Sequence, residues 1–336
     1  MSSNDESLVA FIIRYTAIGA KTKDNSNFTY VAGVIGYCEG SVSNCVNGVG
    51  TTLDVTIPTV KPSSVTNDAV EGAITVTTPT LASGFVVANA AVAGVAGMAL
   101  MGGDSNKNFA PIYVAGSYGP GTVGSSQLGG GSQNGVSVAG VIGQTGISSN
   151  FKSSTLSNSH NYGAVTVDFP MADDTATFLY VGGVVGYGGT SAATLSNNGK
   201  ITVESSANAH YIGGVLGHNY AGVNGATNNA DVEVELVCNG GKHIANSNNN
   251  IGGVVGMIPS VSNETATNLV NNNATTVTVS GSAAVEGDVF VGGVAAKSNI
   301  AASNLTNKKA VTVTAGTVEN LTVGGVCGVA DPGCTT

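Results

Sequence analysis

Carboxylates are the first place to look for chemistry in this chain, because charged groups are scarce. The 336 residues carry 20 acids and 11 bases, 9% charged against roughly 25% in an ordinary globular chain. Asp173 and Asp174 are adjacent, between two β-patterned stretches, and read more simply as a solvated loop tip than as a catalytic couple. Glu233 and Glu235 alternate on one face of such a stretch. If neighbouring units stack, they lie beside Thr202 and Glu204, then Thr166 and Asp168. A stripe of Asp168, Glu204, Glu233 and Glu235 has the donor type for a divalent cation, or for the acid–base work of a polysaccharide lyase or hydrolase. It reads more simply as charge that keeps an exposed sheet from sticking. No catalytic residue, metal site or cofactor is therefore assigned, and a glycan-active enzyme is kept only as the alternative.

Two cysteine pairs, Cys38 with Cys45 and Cys327 with Cys334, share a spacing. They read either as small apolar fillers or as two local disulfides near opposite ends of the chain. Cys238 is left over, and the four histidines (His160, His210, His218, His243) show no zinc-ligand spacing to the cysteines. Arg14 is the only arginine and no Lys/Arg patch exists, which excludes the counterion-releasing surface that nucleic acid requires. No stretch approaches the roughly 18 apolar residues of a membrane-spanning helix. Thr75/Thr77, Thr276/Thr278 and Thr312/Thr314 form Thr-x-Thr pairs. Such pairs suggest an ice-binding face as a minor alternative, although the acids interrupt the row.

What must position these residues is a repeated phrase. YVGGVVG (Tyr180 to Gly186), YIGGVLG (Tyr211 to Gly217), IGGVVG (Ile251 to Gly256), FVGGVAA (Phe290 to Ala296) and VGGVCG (Val323 to Gly328) are its cleanest copies. YVAGVIG (Tyr30 to Gly36), VAGVAG (Val92 to Gly97), YVAGSYG (Tyr113 to Gly119) and VAGVIG (Val138 to Gly143) are weaker ones. Each is followed by a Gly/Ser/Asn-rich stretch, then by an Asn cluster and an alternating strand such as LSNNGKITV (Leu195 to Val203). The Asn cluster reads as turn chemistry, since Asn tolerates left-handed backbone and bonds its own main chain. Val181 and Val185 share parity but Val184 does not, so a corner at Gly182-Gly183 is expected to turn both groups inward. The same corner is expected at Gly213-Gly214, Gly252-Gly253, Gly292-Gly293 and Gly324-Gly325, where glycine allows positive φ and close approach of coils. Units recurring about every thirty to forty residues predict an all-β, right-handed parallel β-solenoid of roughly ten irregular coils. Residues 1–29 are expected to form an N-terminal strand or cap, and 30–336 the repeats.

The stretch GGVVGYGGTSAATLSNNGKITV (Gly182 to Val203) resembles a GLUG-motif repeat, and GVIGYCEGSVSNCVNGV (Gly33 to Val49) matches similarly. The resemblance covers most of residues 30 to 328, with longer spacers and Val where Leu is commoner. It implies a β-solenoid from a secreted or cell-surface protein, often adhesive, and carries no catalytic residues across. The N-terminus is acidic before a short apolar run, which does not fit a secretory signal, so the protein reads either as intracellular or as a mature or excised fragment, and the unfinished phrase at Val323 to Gly328 favours the fragment. The two chain ends look complementary. The expectation is a non-enzymatic extracellular structural or adhesive repeat protein. Its expected partners are a host-surface or glycan ligand and further copies joined head to tail through the terminal coils.

Overall fold

A computed structural model describes residues 13–15, 20–21, 28–48, 74–78, 86–87, 89–116, 135–146, 151, 153–169, 178–207, 209–238, 248–261 and 263–330. Every regular element in these residues is a β-strand. One coil shows the plan. Val165–Phe169 lies in a first sheet, Phe178–Gly182 in a second, Val185–Gly188 in a third and Ser191–Asn197 in a fourth. The next strand, Ile201–Ser205, returns to the first sheet beside Val165–Phe169, parallel and in register. Among the described residues the first three sheets each hold eight strands in this order, so they form a parallel β-solenoid of eight levels. At about 4.8 Å per level the stack is on the order of 35 Å long. Ile13–Tyr15 pairs with Ile74–Val76 as the outermost first-sheet strand, so part of the segment before Tyr30 belongs to the stack.

Eight levels are fewer than the ten or so expected, and one weak copy of the phrase explains part of the difference. In YVAGSYG, Tyr113 to Gly116 lies in the first-sheet strand Ile112–Gly116, paired with Thr75 and Thr166 rather than with any corner. Ser117 stands where true copies place the valine that anchors the third sheet. Coil length also varies more than the phrase suggests. Equivalent asparagines in successive coils are 61, 53, 36, 31, 43 and 36 residues apart.

The corner lies where the sequence places it, but it does two things the sequence did not convey. The second-sheet strand ends at Gly182, and Gly183-Val184 make the bend before Val185. Val181 then joins one core, with Ile201, Val203 and Ile212, while Val184 and Val185 join another, with Leu195, Leu216 and Leu269. The cross-section therefore has two apolar lobes, the first between sheets one and two, the second between sheets three and four. Nor do the corner glycines adopt positive φ, which is confined to other residues. Their requirement is close approach. A Cβ on Gly183 would strike the Asn197 side chain and the Gly214 carbonyl of the next coil. The first corner position carries Ala93 and Ala139 in earlier coils, but at Gly182 an added Cβ would strike the Val185 carbonyl.

At the waist between the lobes runs a column of buried amides: Asn47, Asn108, Asn161, Asn197, Asn228, Asn271 and, at the end, the partly exposed Asn307. Each Nδ2 donates to the Oδ1 of the next coil, at 2.8 Å from Asn161 to Asn197 and 2.9 Å from Asn197 to Asn228. Asn197 Nδ2 also donates to the Gly199 carbonyl at 2.8 Å, and Gly199 N–H donates back to Oδ1 at 3.2 Å. Bonding to its own backbone is as expected of the Asn cluster. Left-handed backbone belongs to a different column, formed by Asn44, Ser105, Asn158, Thr194, Gly225, Asn268 and Asn304. Thr194, at φ 55, is the β-branched member, and L-residues with a branched Cβ are strained there. Thr194→Asn is expected to raise the unfolding free energy by about 1 kcal/mol, read as a higher urea midpoint at unchanged slope.

Candidate functional site

On the outer face of the first sheet, Asp168, Glu204 and Glu235 stand in register on successive coils, and Thr166, Thr202 and Glu233 form the neighbouring row. The stacking expected from the sequence is thus the stacking observed. The groups are engaged locally: Lys200 Nζ lies 2.7 Å from Glu233 Oε2, Ser280 Oγ donates to Glu235 Oε1 at 2.6 Å, and Tyr113 Oη donates to Asp168 at 3.4 Å. Among the described residues no group of three or more His, Cys, Asp or Glu is arranged to hold a metal ion. Thr276 and Thr278 continue the rows and pair with Thr312 and Thr314. Asp173 and Asp174 lie outside the described residues.

Cys38 and Cys45 are free thiols, so of the two readings the first-coil disulfide is absent; Cys334, the other half of the second pair, lies outside the described residues. The two first-coil sulfurs are engaged separately. Cys38 Sγ donates to the Ser41 carbonyl at 4.0 Å and Cys45 Sγ to the Ser43 carbonyl at 3.6 Å. The side chains of Cys38, Cys45 and Cys327 pack against the second lobe, as the apolar-filler reading has it. Cys238 is buried, which pushes its thiol up to about 11.

The corner creates a feature the sequence did not announce. It folds the third sheet back onto the outer face of the second. A Cβ on Gly186 would meet Ser137 Oγ and the Val138 nitrogen, and one on Gly217 would meet Val181 N. The last glycine of the phrase is therefore what lets these sheets touch. The crease holds stacked rings: Tyr180 on Tyr211 at 5.1 Å, Tyr187 on His218 at 5.4 Å, with Tyr220 4.5 Å from His218. His218 is buried and its Nδ1 has no hydrogen-bond partner among the described residues. Desolvation lowers its pKa to about 3, while burial raises Tyr211 to about 12 and Tyr180 well above the usual phenol value. The signal available in the sequence was the aromatic two residues before the first corner glycine and the ring five after it.

The outer face of the fourth sheet carries exposed amides in ordered columns. Asn272 Nδ2 donates to Asn229 Oδ1 at 2.6 Å, and Asn229 Nδ2 to Asn198 Oδ1 at 2.9 Å. In the left-handed column, Asn304 Nδ2 donates to Asn268 Oδ1 at 3.1 Å, and Asn268 Nδ2 reaches Asn224 Oδ1 in the adjoining column at 2.8 Å. No acid interrupts residues 191–198, 222–229, 265–272 or 301–308. Nearer the first coil the face changes character. There the Asp104 carboxylate accepts from Ser157, Ser105 and Asn158, which hold its pKa below the usual value.

Among the described residues the core columns are uncovered at the last coil; at the first coil Val34 is exposed, whereas Val31 and Val42 are buried. Val34 begins the column that continues through buried Val95, Val184 and Val294, yet is 44% exposed. Val323 ends the column of Val181, Ile212 and Val291 and is 46% exposed. Gly325 is the plainest sign. Beyond it nothing lies within 4 Å of an added Cβ, whereas at Gly293 the Gly325 carbonyl and Asn307 fill that space.

Among the described residues no helix is long and apolar enough to cross a membrane. Comparison with protein-family models, with curated proteins and with solved structures gave no match.

Proposed function

We propose that this chain is a non-enzymatic, extracellular or cell-surface β-solenoid of GLUG-like repeats with a structural or adhesive role, and that copies join head to tail through their end coils. The observation that carries the assembly is the unfilled space beyond Gly325. The columns ending at Val323 and Val326 are those that begin at Val31 and Val34, so a first coil set on the eighth would continue them. Stacking there would bury apolar surface and satisfy strand edges, the two terms that drive β-augmentation. The scaffold role is supported by the outer face of the first sheet, where Glu233, Glu235 and Asp168 engage Lys200, Ser280 and Tyr113.

The test exploits Gly325. A methyl group there touches nothing among the described residues, but it would occupy the space that a following coil needs. Size-exclusion chromatography and negative-stain electron microscopy are expected to show rods lengthening with protein concentration, with and without reductant. Gly325→Ala is expected to stay monomeric at an unchanged melting temperature. Wild-type protein that is monomeric at every concentration, or a variant that lengthens equally, would sink the proposal.

A further inference from the structure

The exposed amide columns of the fourth sheet are more ordered than a solvated face needs to be. Asn198, Asn229 and Asn272 form one rail, and Asn224, Asn268 and Asn304 another, each tied coil to coil by side-chain hydrogen bonds. Between them runs the column Ser196, Thr227, Val270, Thr306. A primary amide has two N–H donors and two lone pairs. Asn229 spends one of each within its rail and keeps the second donor and acceptor. The rails therefore present oriented donors and acceptors at about 4.8 Å per coil. Their side-chain entropy is already lost, so a ligand would not have to supply that ordering cost.

Charge says what kind of partner fits. The chain has a net charge of −9, yet no acid stands in the four strands between the rails, where Lys308 is the one ionic group; the nearest carboxylate, Glu264 at the strip's edge, accepts from Gly222 N–H. A nucleic acid would need several cations, and an acidic polymer would have one at most. A protein partner would need buried aromatic or arginine anchors, and Val270 is the one large apolar side chain on the strip. What remains complementary is a neutral polymer with hydroxyls at regular intervals. We propose that the outer face of the fourth sheet, between Ser191 and Lys308, binds a neutral polysaccharide laid along the solenoid axis over the Thr227 column. This rests on the adhesive reading above and gives it a ligand class, but it does not depend on head-to-tail assembly.

The experiment is affinity gel electrophoresis of the whole chain in gels containing dextran, xyloglucan, galactomannan or laminarin, with pulldown on cellulose and chitin beads. At least one neutral polysaccharide is expected to retain the wild type. The triple variant N198A/N229A/N272A is expected to bind on the order of tenfold more weakly while its circular-dichroism melting curve is unchanged. A control on the opposite face, T276A/T278A/T312A, is expected to bind as wild type. Retention by none of the neutral polymers, retention only by anionic ones such as alginate or heparin, or equal binding by the triple variant would each overturn the proposal. Chain length of the recovered polymer separates the two readings. Intact polymer keeps the non-enzymatic assignment, whereas shortened polymer refutes it while leaving the binding face in place.

Discussion

Asn197→Ala is expected to cost about 5 kcal/mol, among the largest effects available to one substitution in this chain. The residue is fully buried and takes part in four hydrogen bonds: from Asn161, to Asn228, to Gly199 O and from Gly199 N. Removing it strips partners from buried groups that no water reaches, at roughly 1–3 kcal/mol each. The truncation adds a cavity beside Gly183, whose missing Cβ already leaves room only for that amide. Asn198, the next residue, is half-buried and bonds through an exposed amide. Asn198→Ala is expected to stay within about 1 kcal/mol of wild type. Urea unfolding of the two variants side by side checks the contrast. Because each coil touches only its neighbours, hydrogen exchange should place the Asn197→Ala loss in the coils of Asn161, Asn197 and Asn228.

A second large effect is expected in acid. His218 lies among Tyr180, Tyr187, Tyr211 and Tyr220, with no carboxylate among the ring partners. Its pKa is lowered to about 3 by desolvation, against about 6.5 in the unfolded chain. The unfolded state therefore takes up a proton first as pH falls. The stability His218 allows is fully present above pH 6.5 and is lost progressively down to pH 3, a total on the order of 4 to 5 kcal/mol. His218→Met places in the crease the side chain that Met257 supplies one coil later. That variant should lose less stability than wild type between pH 7 and pH 4, measured as the difference in urea midpoints. Parallel curves for the two proteins would refute the assignment. His160, lowered by burial and by Lys107, contributes to both proteins equally and cancels.

The strand-corner-strand unit could be read from local pattern because its causes are local: parity, glycine and β-branching within seven residues. The stacking of Asp168, Glu204 and Glu235 followed, since aligning the phrases aligns the strands after them. The asparagine column did not follow, because each amide is satisfied by residues 31 to 61 positions away. One sequence signal did exist. The interval from second corner glycine to ladder asparagine is the same from Gly33 to Asn47, Gly94 to Asn108, Gly183 to Asn197, Gly214 to Asn228 and Gly293 to Asn307. Only insertions in the coils of Gly140 and Gly253 disturb it. Thr194 was invisible for a different reason. Its left-handed backbone is imposed by the column it stacks in, against its own preference. YVAGSYG misled because four matching residues serve a first-sheet strand equally well when the valine after the glycine is missing.

The buried amide column has a direction. From Asn47 to Asn271 every inter-coil bond runs from the nitrogen of the earlier coil to the oxygen of the later one. In an interior of low dielectric such dipoles add and polarise one another, much as peptide dipoles do along a helix. The solenoid thus carries an axial electric polarity, with its positive pole toward the eighth coil. Two copies meeting end to end would be sorted before any side chain touched. Like poles repel, opposite poles attract, and a fibre built from this chain would grow with one sense of direction.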